Sequence, residues 1–198
     1  MAPTLIPASA WSKSPNSRIH LGFIGMGRKG RGLLSQFLKF EDVQVVGISE
    51  VADIRLQDGV RIVEEYYAKS APGGTYRGCD AYPDFRDLLA RRDVDAIVNV
   101  TPDHWHIPSS LLACKAGKDV YCEKPLTLTI DEGKLIEKIV TQTGRVCQVG
   151  TMQRTESGQR FLQAIALIRD GRIGKIKRVT CGIGGMPQSP EIPVTSVP

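Results

Sequence analysis

Short apolar runs alternate with longer amphipathic stretches along most of this chain. The apolar runs predict strands, and the stretches between them, with apolar residues three or four positions apart, predict helices. The predicted strands cover residues 18–24, 43–49, 94–100, 119–122 and 146–149. The predicted helices cover residues 28–40, 53–69, a short stretch around Phe85, 106–117 and 130–143. Strand–helix units of this size indicate an α/β fold with a doubly wound parallel sheet.

Two predicted helices carry local signals at their ends. Thr129 and Glu132 have the spacing of a capping box, in which the threonine side chain caps the helix and the glutamate reaches back to it. Pro72-Gly73-Gly74 ends the helix of residues 53–69. Residues 75–81, which follow, are predicted to form an irregular surface loop.

The last part of the chain predicts the start of a second domain. Residues 157–170 form an amphipathic helical pattern and residues 175–184 a strand pattern. A lone helix and strand cannot bury their apolar faces, so we interpret residues 151–198 as a linker helix and first strand of an incomplete α/β substrate domain. The sequence therefore predicts a flexible arm over residues 1–17, a sheet domain over 18–150 and this truncated start.

Composition and charge narrow the class of protein. The chain has 198 residues, of which 41% are hydrophobic and 24% charged, and a formal charge of +5, values typical of a globular protein. The positive charges are scattered, which argues against nucleic-acid binding. No apolar run is long enough for a transmembrane helix, so no membrane association is expected.

The five cysteines include no pair spaced for a metal site. An odd number of cysteines without a Cys-x-x-Cys pair argues against structural zinc and against a disulfide framework, and it fits a reducing compartment. We therefore expect no metal and a cytoplasmic protein. Export is the alternative, if residues 1–17 once followed a leader that has been lost.

The first predicted strand leads into a glycine motif, Gly25-Met26-Gly27-Arg28-Lys29-Gly30. In the G-x-G-x-x-G pattern the first glycine allows a tight turn, the second lets the main chain approach a diphosphate, and the third lets the helix pack closely. The helix N-terminus then offers free N–H groups to the phosphates. We predict a Rossmann domain that binds a dinucleotide through Gly25, Met26, Gly27, Arg28 and Gly30. The alternative is that these glycines only make a tight turn and bind no nucleotide.

An acidic residue ends the second predicted strand. Glu50 would accept hydrogen bonds from an adenosine ribose with both hydroxyls and would repel a 2′-phosphate, which favours NAD over NADP. Arg28 and Arg55 argue against this preference, because they could accept a phosphate in a modified geometry.

Three further polar segments follow predicted strands, where ligands bind in open α/β sheets. They are Thr101-Pro102-Asp103-His104-Trp105-His106, Glu123-Lys124-Pro125 and Gly150-Thr151-Met152-Gln153-Arg154. Together with the glycine motif, KAGKDVYCEKPLTLT at 115–129 and GRIGKIKRV at 171–179, they give a chain that resembles the Gfo/Idh/MocA oxidoreductase family over residues 18–185. The resemblance implies a Rossmann domain followed by an α/β domain. It also implies hydride transfer between a nicotinamide and a sugar, polyol or cyclitol.

The resemblance assigns roles to the Glu123-Lys124-Pro125 segment and its surroundings. Lys124 would contact the reacting hydroxyl and take part in proton transfer, and Glu123 would hold that lysine or the cofactor ribose. The alternative is that Lys124 is only solvated. Gln153 and Arg154 would reach the substrate, unless they are part of a salt-bridged linker.

The segment of residues 101–106 would border the cofactor. Thr101, Pro102 and Trp105 would contact it, with the indole over the nicotinamide ribose. His106 would hydrogen-bond to the Glu123-Lys124-Pro125 segment, either as an active-site residue or as a structural cap. His104 and His106 alone are too few ligands for a metal.

The sequence departs from the family where the second domain would complete the site. The family's second-domain Asp/His pair is absent, so we expect this chain to bind nucleotide and to turn over substrate poorly or not at all. We expect subunit association only where the second domain is present. An oxidoreductase is the leading hypothesis. The alternatives are a hydrolase that oxidises a sugar transiently with NAD, and a non-catalytic nucleotide-binding module.

Overall fold

The computed structural model describes residues 18–152, 157–182 and 184. The chain divides after Gly150 into two compact units. The predicted arm of residues 1–17 lies outside the described residues, as do Gln153 and Arg154.

The described part of the first unit forms a parallel six-stranded sheet in the order β3-β2-β1-β4-β5-β6. The strands are β1 (Ile19–Ile24), β2 (Val43–Ser49), β3 (Asp80–Tyr82), β4 (Ala96–Asn99), β5 (Asp119–Glu123) and β6 (Cys147–Gly150). The helices are α1 (Arg28–Phe37), α2 (Asp53–Ala68), α3 (Phe85–Ala90), α4 (Asp103–Lys115) and α5 (Ile130–Thr143). The predicted doubly wound α/β fold is confirmed.

Two apolar clusters sandwich the sheet. Neighbouring residues of one strand belong to different clusters: Phe23 and Val98 pack in one, and Ile24 and Ile97 in the other. Because side chains alternate between the faces of a strand, helices must cover both faces. This double coverage explains why the predicted strand at 94–100 is almost continuously apolar.

The chain changes direction across the sheet between β3 and β4. β4 returns to the far side of β1, so β1 and β4 are neighbours whose following helices lie on opposite faces. A crevice opens beyond the carboxyl ends of two such strands, and that is where open α/β sheets bind ligands.

The opposite edge of the sheet is held together by a buried lysine. The Lys118 side chain is in the protein interior, and its ammonium donates hydrogen bonds to the carbonyls of Arg91 and Val94, at 2.5 and 2.8 Å. Lys118 lies in the segment 115–129 that carries the family resemblance. Its contacts precede β4 and β5, so its role is to join the amino ends of these strands.

Two details of the first unit differ from the sequence prediction. Residues 80–82 of the predicted loop form β3, because their main chain pairs with β2, with Asp80 opposite Gly47. Three residues are too few to show a period-two pattern. The helix predicted to begin at His106 begins at Asp103, where Trp105 N–H already donates to the carbonyl of Pro102.

The predicted capping box is confirmed. The Thr129 hydroxyl accepts a hydrogen bond from the N–H of Glu132, and the Glu132 carboxylate accepts one from the N–H of Thr129. The helix ends at Gly144, whose φ of 64° lies in the left-handed region that glycine favours.

The second unit contains one long helix, α6 (Arg160–Arg169), in its described part. The strand predicted over residues 175–184 is wrong for residues 175–182 and 184, which form no strand. A strand exists only as a hydrogen-bonded partner of another strand, and these residues pair with no described segment. Every described side chain of α6 is exposed, including the apolar Phe161 and Leu167.

Candidate functional site

The loops that follow β1, β2, β4 and β5 meet at one edge of the sheet. The strand register places Ile24 beside both Ser49 and Asn99, and Asn99 beside Cys122. The four strands therefore end together, and the polar segments after them are neighbours.

The glycine loop after β1 has a conformation that requires two of its glycines. Gly25 has φ of +96°, and a Cβ atom there would lie 2.5 Å from the carbonyl oxygen of Val100. A Cβ atom on Gly30 would overlap the carbonyl oxygen of Gly25. The first glycine thus makes the turn and the third lets α1 pack against it, as predicted from their spacing.

Gly27 is different because space surrounds it. It is the N-terminal cap of α1, and an added Cβ atom would meet no other atom within 4 Å. The N–H groups of the first helical turn have no partners within the helix, so they are free to bind an anion there. Arg28, the first residue of α1, is exposed beside this space. The geometry fits a diphosphate held at the start of α1.

The Glu50 carboxylate lies against the glycine loop. It is 9% exposed, and its two oxygens accept hydrogen bonds from the N–H of Met26, at 2.8 Å, and from the N–H of Ala52, at 3.1 Å. These bonds fix the carboxylate beside the loop. The Met26 side chain is buried in the core against Gly59, so only the main chain of Met26 is placed to contact a cofactor.

A cleft of about 430 Å³ opens beside Glu50. Its lining comes from the ends of β1 and β2, the start of α3 and the β4–α4 segment, and comprises Ile24, Ser49, Glu50, Val51, Pro83, Asp84, Phe85, Arg86, Thr101, Pro102, His104, Trp105 and Ser109. The Trp105 ring is half exposed and stands edge-on to Phe85, with ring centroids 6.2 Å apart. Trp105 thus lies on the Glu50 side of the site; that it covers the nicotinamide ribose stays a prediction.

The cleft also has fixed charges. The Asp84 carboxylate caps α3 and binds the Arg86 guanidinium, and hydrogen bonds from Arg86 lower its pKa to about 2. Both Asp84 and Glu50 contribute carboxylates to the lining. Because Arg86 also lines the cleft and neutralises Asp84, the acidic character of the lining rests on Glu50, whose carboxylate suits a ligand with hydroxyl donors.

Asn99 is a buried polar residue of the site that sequence reasoning missed. Its amide nitrogen donates to the carbonyl of His106 at 2.9 Å and to the Ser109 hydroxyl at 2.7 Å. Its oxygen accepts a hydrogen bond from the Thr101 hydroxyl at 2.8 Å, so that hydroxyl points inward. The signal in the sequence was an asparagine within an apolar strand. Asn99 thereby fixes the β4–α4 segment.

His106 connects this segment to the Glu123-Lys124-Pro125 turn. Its ring is buried, and Nδ1 lies 2.6 Å from the carbonyl oxygen of Pro125, to which it must donate because a carbonyl only accepts. The contact predicted between these two segments is therefore present. Nε2 is buried and has no hydrogen-bond partner among the described residues.

The turn itself places Glu123 inward and Lys124 outward. Glu123 is 3% exposed; one carboxylate oxygen lies 3.4 Å from Nζ of Lys29, and the other accepts a hydrogen bond from the Lys124 N–H at 3.2 Å. The contacts of Glu123 are thus to Lys29 and to the main chain of Lys124. The Lys124 side chain is exposed at the sheet edge.

The nearest thiol is unsuited to nucleophilic chemistry. Cys122 precedes Glu123 on β5, and burial raises the pKa of its thiol to about 12.

Among the residues that the structure describes, no three His, Cys, Asp or Glu side chains form a group able to hold a metal ion. None of the helices in that part of the chain has both the length and the apolar character needed to cross a bilayer.

Comparison with known proteins gives a family match. Residues 19–151 match the family model GFO_IDH_MocA, described as an oxidoreductase family with an NAD-binding Rossmann fold. A glycosyl hydrolase family 109 protein of Shewanella baltica is 30% identical over 159 residues, which are 80% of this chain and 33% of that protein. An α-N-acetylgalactosaminidase of Shewanella oneidensis matches to the same extent. The chain therefore spans about a third of the length of these curated relatives.

Solved structures give the same fold. The scyllo-inositol dehydrogenase of Lactobacillus casei, solved with NAD(H) and scyllo-inositol bound, is 25% identical with a TM-score of 0.65. The match covers 79% of this chain and 42% of that chain.

Proposed function

The chain belongs to the Gfo/Idh/MocA family of oxidoreductases with an NAD-binding Rossmann fold, and we propose that residues 18–150 are the cofactor half of an NAD(H)-dependent sugar or polyol dehydrogenase. One observation carries this proposal. The open space at Gly27, the fixed Glu50 carboxylate and the exposed Lys124 side chain all lie at the carboxyl edge of one sheet.

The glycine loop and Glu50 are the residues proposed to hold the cofactor. The first turn of α1 would bind the diphosphate, and Glu50 would accept hydrogen bonds from the adenosine ribose. When bound, NAD supplies the acceptor for a hydride from the substrate carbon. Because the Glu50 carboxylate would repel a 2′-phosphate, we propose a preference for NAD over NADP.

Lys124 is proposed to handle the proton of the reacting hydroxyl. Its side chain is free to reach the edge of the sheet, while its main chain is held by Glu123 and the following carbonyl by His106. The neutral amine would take the hydroxyl proton during oxidation, and the ammonium would return it during reduction. His106 is proposed to position this turn, since its ring is buried.

A second candidate is NAD-dependent glycoside hydrolysis. The observation that favours it is the 30% identity to proteins named glycosyl hydrolase family 109 and α-N-acetylgalactosaminidase. In that reaction a sugar is oxidised to ease elimination and is then reduced again, so no NADH accumulates. Where the second domain is present, incubation with NAD and either inositols or an N-acetylgalactosaminide separates the two, because only a dehydrogenase accumulates NADH.

The cofactor site itself is tested by Gly27→Asp. Since nothing lies within 4 Å of a Cβ at Gly27, the side chain fits the fold, and aspartate is a favourable helix cap. The carboxylate would occupy the diphosphate position with the wrong charge. We expect NADH affinity, measured by calorimetric titration, to fall at least tenfold while the melting temperature is kept.

Gly32→Asp is the matched control for this test. Gly32 lies on the same helix and is equally open, but it is a turn away from the loop. We expect it to bind NADH as the unmodified chain does. Absence of NADH binding by the unmodified chain, or unchanged binding by Gly27→Asp, would contradict the proposed cofactor site.

A further inference from the structure

Three segments of the first unit converge on the Glu123 carboxylate. Lys29, in the first turn of α1, approaches one oxygen at 3.4 Å, and the Lys124 N–H donates to the other at 3.2 Å. Gly150, at the end of β6, lies so close that an added Cβ atom would be 3.0 Å from the first oxygen. The Glu123 carboxylate therefore lies between Lys29, the main chain of Lys124 and the end of β6.

The Lys29 ammonium supplies the charge that this carboxylate needs. The Glu123 side chain is 4% exposed, and its first oxygen accepts no hydrogen bond from the described residues. A buried carboxylate is costly unless a cation or hydrogen-bond donors compensate it. The Lys29 side chain is 38% exposed, so its own desolvation is modest. Attraction to Lys29 thus offsets part of the cost of keeping the Glu123 carboxylate inside.

The position of Glu123 in turn determines the position of Lys124. The second Glu123 oxygen holds the Lys124 N–H, and His106 Nδ1 holds the Pro125 carbonyl on the other side of the turn. The main chain that carries the Lys124 side chain is therefore fixed at both ends. Of these two contacts, the one through Glu123 leads directly to the Lys29 side chain.

We propose that Lys29 is a positioning residue for Lys124 and acts through the Glu123 carboxylate. The loop that holds the diphosphate and the turn that carries the proton-transfer lysine then form one connected unit. The inference rests on the proposed function, because only that function gives Lys124 a role in proton transfer. The contacts that it needs are present without a cofactor, so it is tested on the chain alone.

The test is the NMR signal of the Lys124 amide in the ¹⁵N-labelled chain. In Lys29→Met we expect the Lys124 amide proton to move upfield and to exchange with solvent about tenfold faster, because its charged acceptor is no longer held. Lys29→Arg keeps the cation and should restore both values. Lys39→Met, the same change at an exposed lysine beyond α1, should leave the Lys124 signal where it is.

A double-mutant comparison shows whether the effect passes through Glu123. Removing the Lys29 charge leaves the buried Glu123 carboxylate uncompensated, whereas removing both charges is milder. We expect Lys29→Met to lower the melting temperature by several degrees. Adding Glu123→Gln should recover part of that loss, and Glu123→Gln alone should displace the Lys124 amide signal.

The outcomes separate this inference from the proposed function. An unchanged Lys124 amide in Lys29→Met, or additive effects of the two substitutions, would overturn the positioning role even if the unmodified chain binds NADH. Should Lys29→Met not fold, the Glu123→Gln spectrum decides: a Lys124 amide unmoved by loss of the carboxylate overturns the role as well. Absence of NADH binding with the expected NMR changes would instead contradict only the cofactor proposal.

Discussion

Glu50 shows how a single side chain serves both the fold and the proposed site. Its carboxylate accepts two main-chain N–H groups, one from the glycine loop and one from the start of α2. The same group faces the cleft. A carboxylate held in this way is already in position before any ligand binds. The Glu50 side chain therefore loses little conformational entropy on binding.

We expect Glu50→Gln to weaken the discrimination between NADH and NADPH. The amide keeps the size of the side chain but removes the charge that repels a 2′-phosphate and strengthens bonds to ribose hydroxyls. NADH affinity should fall about tenfold, the worth of one charge-assisted hydrogen bond, while NADPH affinity should rise. Calorimetric titration with both nucleotides measures the ratio.

Asp53→Asn is the control for the loss of a nearby negative charge that does not line the cleft. Asp53 is an exposed acid on α2 three residues later and does not line the cleft. It should leave the nucleotide ratio unchanged. If the ratio is the same in Glu50→Gln as in the unmodified chain, Glu50 does not set the preference.

At this scale the sequence predicted residues whose role follows from local spacing. Gly25, Gly30 and Thr129 do what their spacing indicates, because a turn, a close approach or a cap involves only nearby residues. The contacts of Asn99 and the Lys29–Glu123 pair were not predictable. Lys29 and Glu123 are distant in sequence, and only the sheet topology brings them together. The contacts of Asn99 stay within the β4–α4 segment, but they depend on how that segment turns after the strand, which residue spacing does not show.

Among the elements, α5 has the most complete set of end signals. The Thr129 hydroxyl and Glu132 carboxylate satisfy N–H groups that the helix leaves unpaired, and Gly144 ends it. The helix packs beside α4, with Ile136 buried and the half-buried Ile139 and Val140 against the apolar cluster of this face. Its capping bonds therefore add to a modest apolar contact.

We expect Thr129→Ala to reduce the free energy of unfolding by about 1 kcal/mol, the usual cost of losing an N-cap hydroxyl. Urea denaturation followed by circular dichroism measures it. Thr141→Ala on the same helix is the control, since the Thr141 hydroxyl only bonds back to the carbonyl of Glu137. A loss at Thr129 no larger than at Thr141 would show that the cap contributes nothing.

The sequence predicted two strands incorrectly, because a strand is defined by its pairing with a neighbouring strand. β3 is three residues long and exists because β2 offers it a free edge. The predicted strand over 175–184 has the right residues but no described strand beside it. The alternation of apolar and polar residues shows that a segment is suited to a strand. Whether the strand forms depends on whether another strand lies beside it.

Considered as a whole, the first unit buries thiols in both of its apolar clusters. Cys79 lies in one cluster, and Cys114 and Cys122 lie in the other. Burial raises the pKa of Cys79 and of Cys122 from 9.0 to about 12, and that of Cys114 to about 11. The folded chain therefore keeps these protons at pH values where the unfolded chain releases them.

We expect the free energy of unfolding to decrease as the pH rises above 9. A pKa raised in the folded state gives stability that is complete below the unfolded pKa and is lost as the pH approaches the folded pKa, here about 12 for Cys79 and Cys122. Each fully shifted thiol costs about 1.4 kcal/mol per pH unit in that range. Urea titrations between these limits measure the slope.

Cys79→Ala should make this slope shallower, and Cys181→Ala should not, because Cys181 is exposed. The buried ammonium of Lys118 opposes the trend, since burial lowers its pKa. One lysine does not outweigh three thiols. A stability that stays constant from pH 9 upwards would contradict the burial of these groups.

The location of Trp105 has a practical consequence. The sequence holds two tryptophans, and this one stands in the cleft beside Phe85 with 47% of its surface exposed. Indole emission depends on the polarity of the surroundings, and reduced nicotinamides absorb light at the wavelengths that indole emits. The protein thus has an intrinsic optical reporter at the mouth of its cleft, and a chain without Trp11 would make occupancy visible without any added dye.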